Sequence, residues 1–354
     1  MTHIQSLAAS WLNTVARFRG VAAVLAASVL FSGCGAINHS IYATTGGVLK
    51  SYSKQHAVPY LMGTDDLAMG CAMAESLSPL LLSFGRVTDD PDQLAVALYL
   101  SAGSCADAQA REYGLEAAAA MRNMNAEAAQ DAMIREKRAY RLAAERYFKG
   151  WQRLNTYYDH IGEGECPDLD DDVDGFIYFA GLLSGLQALN AEIQSTSSIG
   201  VPKNVGAIAS RASDCLDNEK WWGAPVALKA TVWAMIPGAE PEGEDAFARL
   251  RASDRLAEES GVRLAHVFHA IAAQNKGRTQ LLKDLIRNHA ETIKEKPASG
   301  DWAFVDAMAT EIMVSMSDML WVENTGHRTP MGQFGTFWDD PEDEVETMDL
   351  DSIL

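Results

Sequence analysis

Residues 221–275 read WWGAPVALKATVWAMIPGAEPEGEDAFARLRASDRLAEESGVRLAHVFHAIAAQN. Three runs with helical spacing of apolar residues are separated by two short breaks, one on Pro237, Gly238 and Pro241, the other on Gly261. Ala246, Leu250 and Ser253 form a small–large–small triple at spacings of four and three, the pattern of the second helix of a tetratricopeptide-like hairpin. The small residues let neighbouring helices approach, and the large one fills the groove between them. Ala143, Tyr147 and Gly150 repeat the triple within RAYRLAAERYFKGWQRL, 103 residues earlier, close to three periods of about 34.

The same periodicity extends in both directions. It predicts helices over Thr64–Phe84, Pro91–Asn123, Ala126–Tyr158, Phe176–Ile193, Pro202–Asp217, Arg278–Lys294 and Asp301–Asn324. Ala, Leu and Met are abundant and no strand-like alternation runs for any length. The expected class is all-α: an array of antiparallel helical hairpins of degenerate tetratricopeptide type. Acids outnumber bases by 19 in 354 residues. That balance argues against a nucleic-acid partner, which needs a basic face, and disfavours a surface lying on anionic lipid.

The N-terminus reads as an address. Arg17 and Arg19 precede the apolar run GVAAVLAASVLFSGCG, the pattern of a signal peptide over residues 1–33. Leu30-Phe31-Ser32-Gly33-Cys34 resembles a bacterial lipobox, with Cys34 the residue acylated (palmitate among the chains). Gly35 rather than Asp after that Cys implies outer-membrane sorting in an organism with two membranes. Residues 34–58 then read as a polar tether, 59–325 as the helical repeat domain and 326–354 as an acidic disordered tail.

Cys71, Cys105, Cys166 and Cys215 remain, an even number in an exported chain, which predicts disulfides. The turn Gly85–Asp90, with Asp90 as N-cap and Pro91 as first helical residue, sets the register of the first hairpin. Cys71 and Cys105 each lie 17 residues from Thr88, so an antiparallel pair brings them face to face. Cys166–Cys215 follows by elimination.

Two stretches admit a metal reading beside a plainer one. Asp170, Asp172, Asp174 and Gly175 match the first positions of a calcium loop, but its twelfth position is Gly181 instead of Glu, and acids at a helix N-terminus favour the macrodipole without a metal. His266 and His269 share a helix face without the Glu of a metalloprotease motif. The expected site contains no metal, cofactor or catalytic residue. No nucleophile elbow, P-loop or zinc-spaced cysteine set occurs in the chain.

The lipobox, the helical hairpins, the Gly-Pro break before Ala246, Leu250, Gly261 and the apolar helix with Ala265 and Ala270 together resemble the TatT family, the lipoprotein T-component of TRAP (tripartite ATP-independent periplasmic) transporters. The resemblance runs over roughly 59–324. It implies an all-α protein facing the periplasm with an apolar cavity or pore and an association with a periplasmic solute-binding protein. It also implies a trimer, and a hydrophobic or amphipathic organic ligand. Phe176, Trp222, Trp233, Phe268 and Met316 are the candidate cavity lining, with Met308, Ile312, Met313 and Met319 on the same last helix and Tyr140, Tyr147, Phe148, Trp151, Tyr157 and Tyr158 weighed first as core. An envelope scaffold binding protein partners would instead have a solid core and polar concave faces. An enzyme with a scattered site would have perturbed acids or histidines converging in a cleft.

Overall fold

Gly181 faces Leu154, and a β-carbon placed on Gly181 would stand 2.5 Å from a Leu154 methyl. Gly185 faces Trp151 in the same way and Gly150 faces Ser184. These contacts set how closely two long helices approach, and they organise the centre of the fold. The computed structural model describes residues 39–87, 92–298 and 300–341. The lipobox Cys34 and signal peptide, the residues around Asp90 and Pro91, and residues 342–354 lie outside the described residues.

The chain divides into two units. The smaller takes in 39–53 and 80–87 among the described residues, helical over 39–52. The larger, Lys54–Pro79 with Asp92 onward, carries the candidate site. Eleven α-helices lie between Val58 and Thr325: α1 Val58–Met62, α2 Leu67–Phe84, α3 Asp92–Arg122, α4 Ala126–Tyr157, α5 Asp172–Ser195, α6 Val205–Ala212, α7 Ala224–Met235, α8 Ala246–Ser260, α9 Leu264–Asn275, α10 Thr279–Glu295 and α11 Ala303–Thr325. No strand occurs among the described residues. The all-helical class, the helix succession and the packed antiparallel pairs agree with the expectation from periodicity. The expected irregular tether does not: 39–52 is helical and Ser53–Ala57 forms a π-helical turn running into α1. The polar composition there reflects a mostly exposed helix rather than a coil.

α3 and α4 form a hairpin of 31 and 32 residues, turned at Met124 with φ +55°. Asn125 caps α4 by accepting from the Ala128 amide at 3.1 Å. The Ala143–Tyr147–Gly150 triple sits in this packing, with the fully buried Tyr147 lying where Gly103 of α3 leaves room. α5 runs against both helices and is buried for much of its length, which accounts for its continuous apolar sequence. By length and composition α2 and α5 are each apolar enough to cross a bilayer, but 56% of the apolar stretch of α5 is buried, against 22% for α2.

The central stretch folds as three helices, α7, α8 and α9, in mutual contact. Ala246, Leu250 and Ser253 are all buried. Gly223, which opens α7, adopts φ +75°, and a β-carbon there would lie 2.6 Å from the Ser253 carbonyl oxygen. Both the backbone conformation and the close approach require glycine. Gly223→Ala is expected to cost about 3 kcal/mol from left-handed strain plus overpacking. Urea unfolding measures this, and a loss near zero would mean the α7–α8 contact is loose.

The expected Pro202–Asp217 helix is shorter. It covers α6 alone and then tightens into a 3₁₀ turn at Ser213–Cys215. The sulfur of Cys215 is bonded to Cys166, the pair expected by elimination, and Cys71 is bonded to Cys105, the pair expected from the hairpin spacing. Two disulfides point to an oxidising, extracytoplasmic compartment.

Residues 326–341 correct the expectation of a solvated tail. Phe337 is buried against Leu282, Leu285 and Ile286 of α10 and Met313 of α11, with Phe334 and Trp338 beside it. Lys283 pairs with Asp339 at 2.7 Å and stacks over Trp338 at 4.3 Å, and Arg287 reaches Asp340 at 2.6 Å. Arg328 grips Glu112 with both guanidinium nitrogens, at 3.0 and 2.6 Å. The acids of this segment are therefore counter-charges to α10.

Candidate functional site

Phe176 and Phe179 on α5, Leu264, Val267 and Phe268 on α9, and Phe304 and Met308 on α11 converge on a common space. It is a cavity of about 270 Å³, bordered on other sides by Leu67, Ala68 and Cys71 of α2 and by Ala97, Leu100 and Ser104 of α3. The lining is overwhelmingly apolar, the character of a small-molecule site.

Of the five residues expected to line such a space, three do: Phe176, Trp222 and Phe268. Trp222 adopts φ +56°, a left-handed conformation that a bulky residue takes only when its surroundings impose it. Its ring meets Trp221 and Trp302 at centroid distances of 5.4 and 5.2 Å. Trp233 is elsewhere, under the ammonium of Lys229 at 5.5 Å. Met316 lies in the separate cluster of α9, α10 and α11, because its helix turns that face away from the cavity. Met308 and Ile312 are the members of the last helix's apolar stripe that reach the cavity. Among the α4 aromatics only Tyr147 does so.

Sequence reasoning missed the polar corner. Arg111 of α3 donates to Asp107 one turn earlier and to Glu311 of α11 at 2.7 Å. All three line the cavity, and among the described residues they are its only charged lining residues. Tyr147 donates to Ser104 at 3.2 Å beside them. The Arg111 Nε is buried without a partner. Burial raises the Asp107 carboxyl above its ordinary value, with Arg111 opposing and Glu311 reinforcing the shift. The four-residue spacing of Asp107 and Arg111 was visible in the sequence, but it also suits an ordinary exposed helix pair.

A second polar cluster lies on the other face of α9. His269 Nδ1 is 2.6 Å from Asp254 of α8, and His266 Nδ1 is 3.2 Å from Nδ1 of His289 on α10. Glu258 stands 3.4 Å from His266 Nε2, a long contact, and accepts from Asn288 at 2.7 Å. The two histidines read as sharing one helix face thus turn to different partners. Among the described residues no group of three or more His, Cys, Asp or Glu is arranged to hold a metal ion. The acidic run 168–174 becomes a helix start. Asp171 accepts from the Asp174 amide at 2.8 Å, and Asp174 takes Lys54 at 2.6 Å. Asp172, Asp174 and Gly175 lie within α5, where the calcium reading requires a loop.

Burial, together with His266 and Arg263, holds the His289 imidazole well below its ordinary value. The native state keeps His289 neutral where the unfolded chain, with a value of about 6.5, takes up a proton. That contribution to stability is complete above about pH 6.5 and is lost as pH falls from there towards the folded-state value, by up to about 1.4 kcal/mol per pH unit. Thermal melts between pH 7.5 and 5 should show this slope, and His289→Gln should flatten it. An unchanged slope in the variant would place the titration elsewhere.

The chain matches no protein-family model, no curated protein and no solved structure.

Proposed function

We propose that this protein binds a hydrophobic or amphipathic small organic molecule in the cavity between α2, α3, α5, α9 and α11. In this reading it is a lipid-anchored envelope protein of TatT type. It serves as an accessory component of a TRAP-type transport system, passing its ligand to a periplasmic solute-binding protein. The observation that carries the reading is the apolar cavity itself, with a charged corner in an otherwise greasy wall. An envelope scaffold of helical repeats calls for a solid core, so the cavity favours the ligand-holding reading over it. The two disulfides support the compartment the proposal requires.

Native mass spectrometry tests this on the full chain, purified gently from whichever fraction, membrane or soluble, carries it. The expected result is a co-purifying small molecule that Phe268→Arg eliminates while leaving the fold intact by circular dichroism. A ligand-free mass, with no uptake of added apolar compounds, would remove the basis for the transport role. Acylation at Cys34 is read in the same spectrum as added mass, lost in Cys34→Ser.

A further inference from the structure

The cavity's charged corner selects among amphipathic ligands. Among the described residues Asp107, Arg111 and Glu311 are the only charged ones lining the space, and together they carry a formal charge of minus one. Should Asp107 hold a proton, the corner is neutral. In neither state is it positive, because Arg111 is already engaged by two carboxylates. A ligand carboxylate would therefore meet a compensated guanidinium and uncompensated acceptors at short range, an arrangement that costs affinity. An ammonium carries donors only, so it would meet the carboxylates but leave Arg111 Nε facing a second donor. What the corner lacks is specific: Arg111 Nε is a buried donor with no acceptor. Glu311, with 41% of its side chain exposed, retains an oxygen free of Arg111 to accept a bond. One group supplies both needs without charge, a hydroxyl, which accepts from Nε and donates to a carboxylate.

Resting on the ligand-holding reading above, the geometry points to an alcohol-headed amphiphile as the ligand class, its hydroxyl at Arg111 and its hydrocarbon against Phe176, Phe268 and Met308. The site is thereby set against free carboxylic acids of the same length.

The probes are 1-nonanol, octanoate and nonylammonium, matched at about ten heavy atoms. Equilibrium dialysis against the purified full chain compares them. The expected order is nonanol first, with octanoate and nonylammonium weaker by about tenfold or more. Glu311→Gln, at a partly exposed position, narrows the gap for octanoate. Asp107→Asn with Glu311→Gln makes the corner positive and should bring octanoate level with nonanol or ahead of it. Octanoate or nonylammonium binding the wild-type chain as tightly as nonanol overturns the inference and leaves the ligand-holding reading standing. An octanoate affinity unmoved by Glu311→Gln overturns it too. Binding of none of the three removes both.

Discussion

Replacing Asp306 with Ala is expected to cost about 3–5 kcal/mol of stability, the range for stranding one member of a buried ion pair. Arg263, at the start of α9, is fully buried, and its guanidinium is almost wholly satisfied by protein. Nη1 donates to Asp306 at 2.8 Å, Nε to the Thr292 hydroxyl at 3.0 Å, and Nη2 to the Thr292 carbonyl at 2.6 Å and to that of Lys296. The other Asp306 oxygen accepts the Arg263 backbone amide at 2.7 Å, so a residue of α11 caps α9 from outside it. Removing the carboxylate leaves a cation in the interior with neutral partners only. It also frees α9 from α11, and Phe304 and Val305 beside Asp306 line the cavity. Ligand affinity should therefore fall along with the urea midpoint. The double replacement Arg263→Met with Asp306→Leu should be markedly milder, because it removes both charges together. A loss under about 1 kcal/mol for Asp306→Ala would mean that water reaches the pair and carries part of its charge.

The second large effect is expected at the Cys71–Cys105 bridge. Its loop spans 34 residues, and the loop-closure relation gives about 4 kcal/mol for Cys71→Ser with Cys105→Ser. The Cys166–Cys215 bridge spans 49 and predicts a similar figure. The two differ in what they hold. Cys71 lies in the cavity wall on α2, a helix that packs sparsely on its neighbours, so its loss should release Leu67 and Ala68 and weaken ligand binding. Cys166–Cys215 fastens the loop before α5 to the turn after α6, away from the cavity, and its loss should leave affinity intact. Thermal melting paired with ligand titration of both variants checks this. Equal affinity losses would show that the binding effect is merely one of stability.

How far this was legible in the sequence can be argued element by element. The small–large–small triples were visible because their physics is local: spacing on one helix face and a requirement for close approach. The first disulfide was visible because an antiparallel hairpin turns sequence distance into spatial register. The cavity was half visible. Phe176, Trp222 and Phe268 were singled out by size and polarity alone. Trp233 and Met316 met the same criteria yet face other neighbours, because which face of a helix meets which partner is settled by packing. Arg111 and Glu311 are separated by 200 residues, and no periodicity couples such positions. The segment 326–341 misled because Asp339, Asp340 and the acids that follow them set the composition of the whole stretch 326–354, although Phe334, Phe337 and Trp338 just before them cover α10. Composition averages over the residues that decide burial.

The indole rings are grouped. Trp221, Trp222 and Trp302 stand in mutual edge contact at centroid distances of 5.2–5.4 Å. Trp321 and Trp338 form a separate edge-on pair at 5.8 Å. The first group belongs to the larger core with its cavity, the second to the cluster sealed by the C-terminal segment. Rings this close share their electronic excitations, so each group should give its own near-ultraviolet circular dichroism couplet. Trp338→Phe would erase one couplet and Trp302→Phe perturb the other. Followed in urea, the two signals would superimpose if the cores melt as one cooperative body and part company if the C-terminal seal lifts first. The chain thus carries two native optical labels, one on each core, with no dye attached.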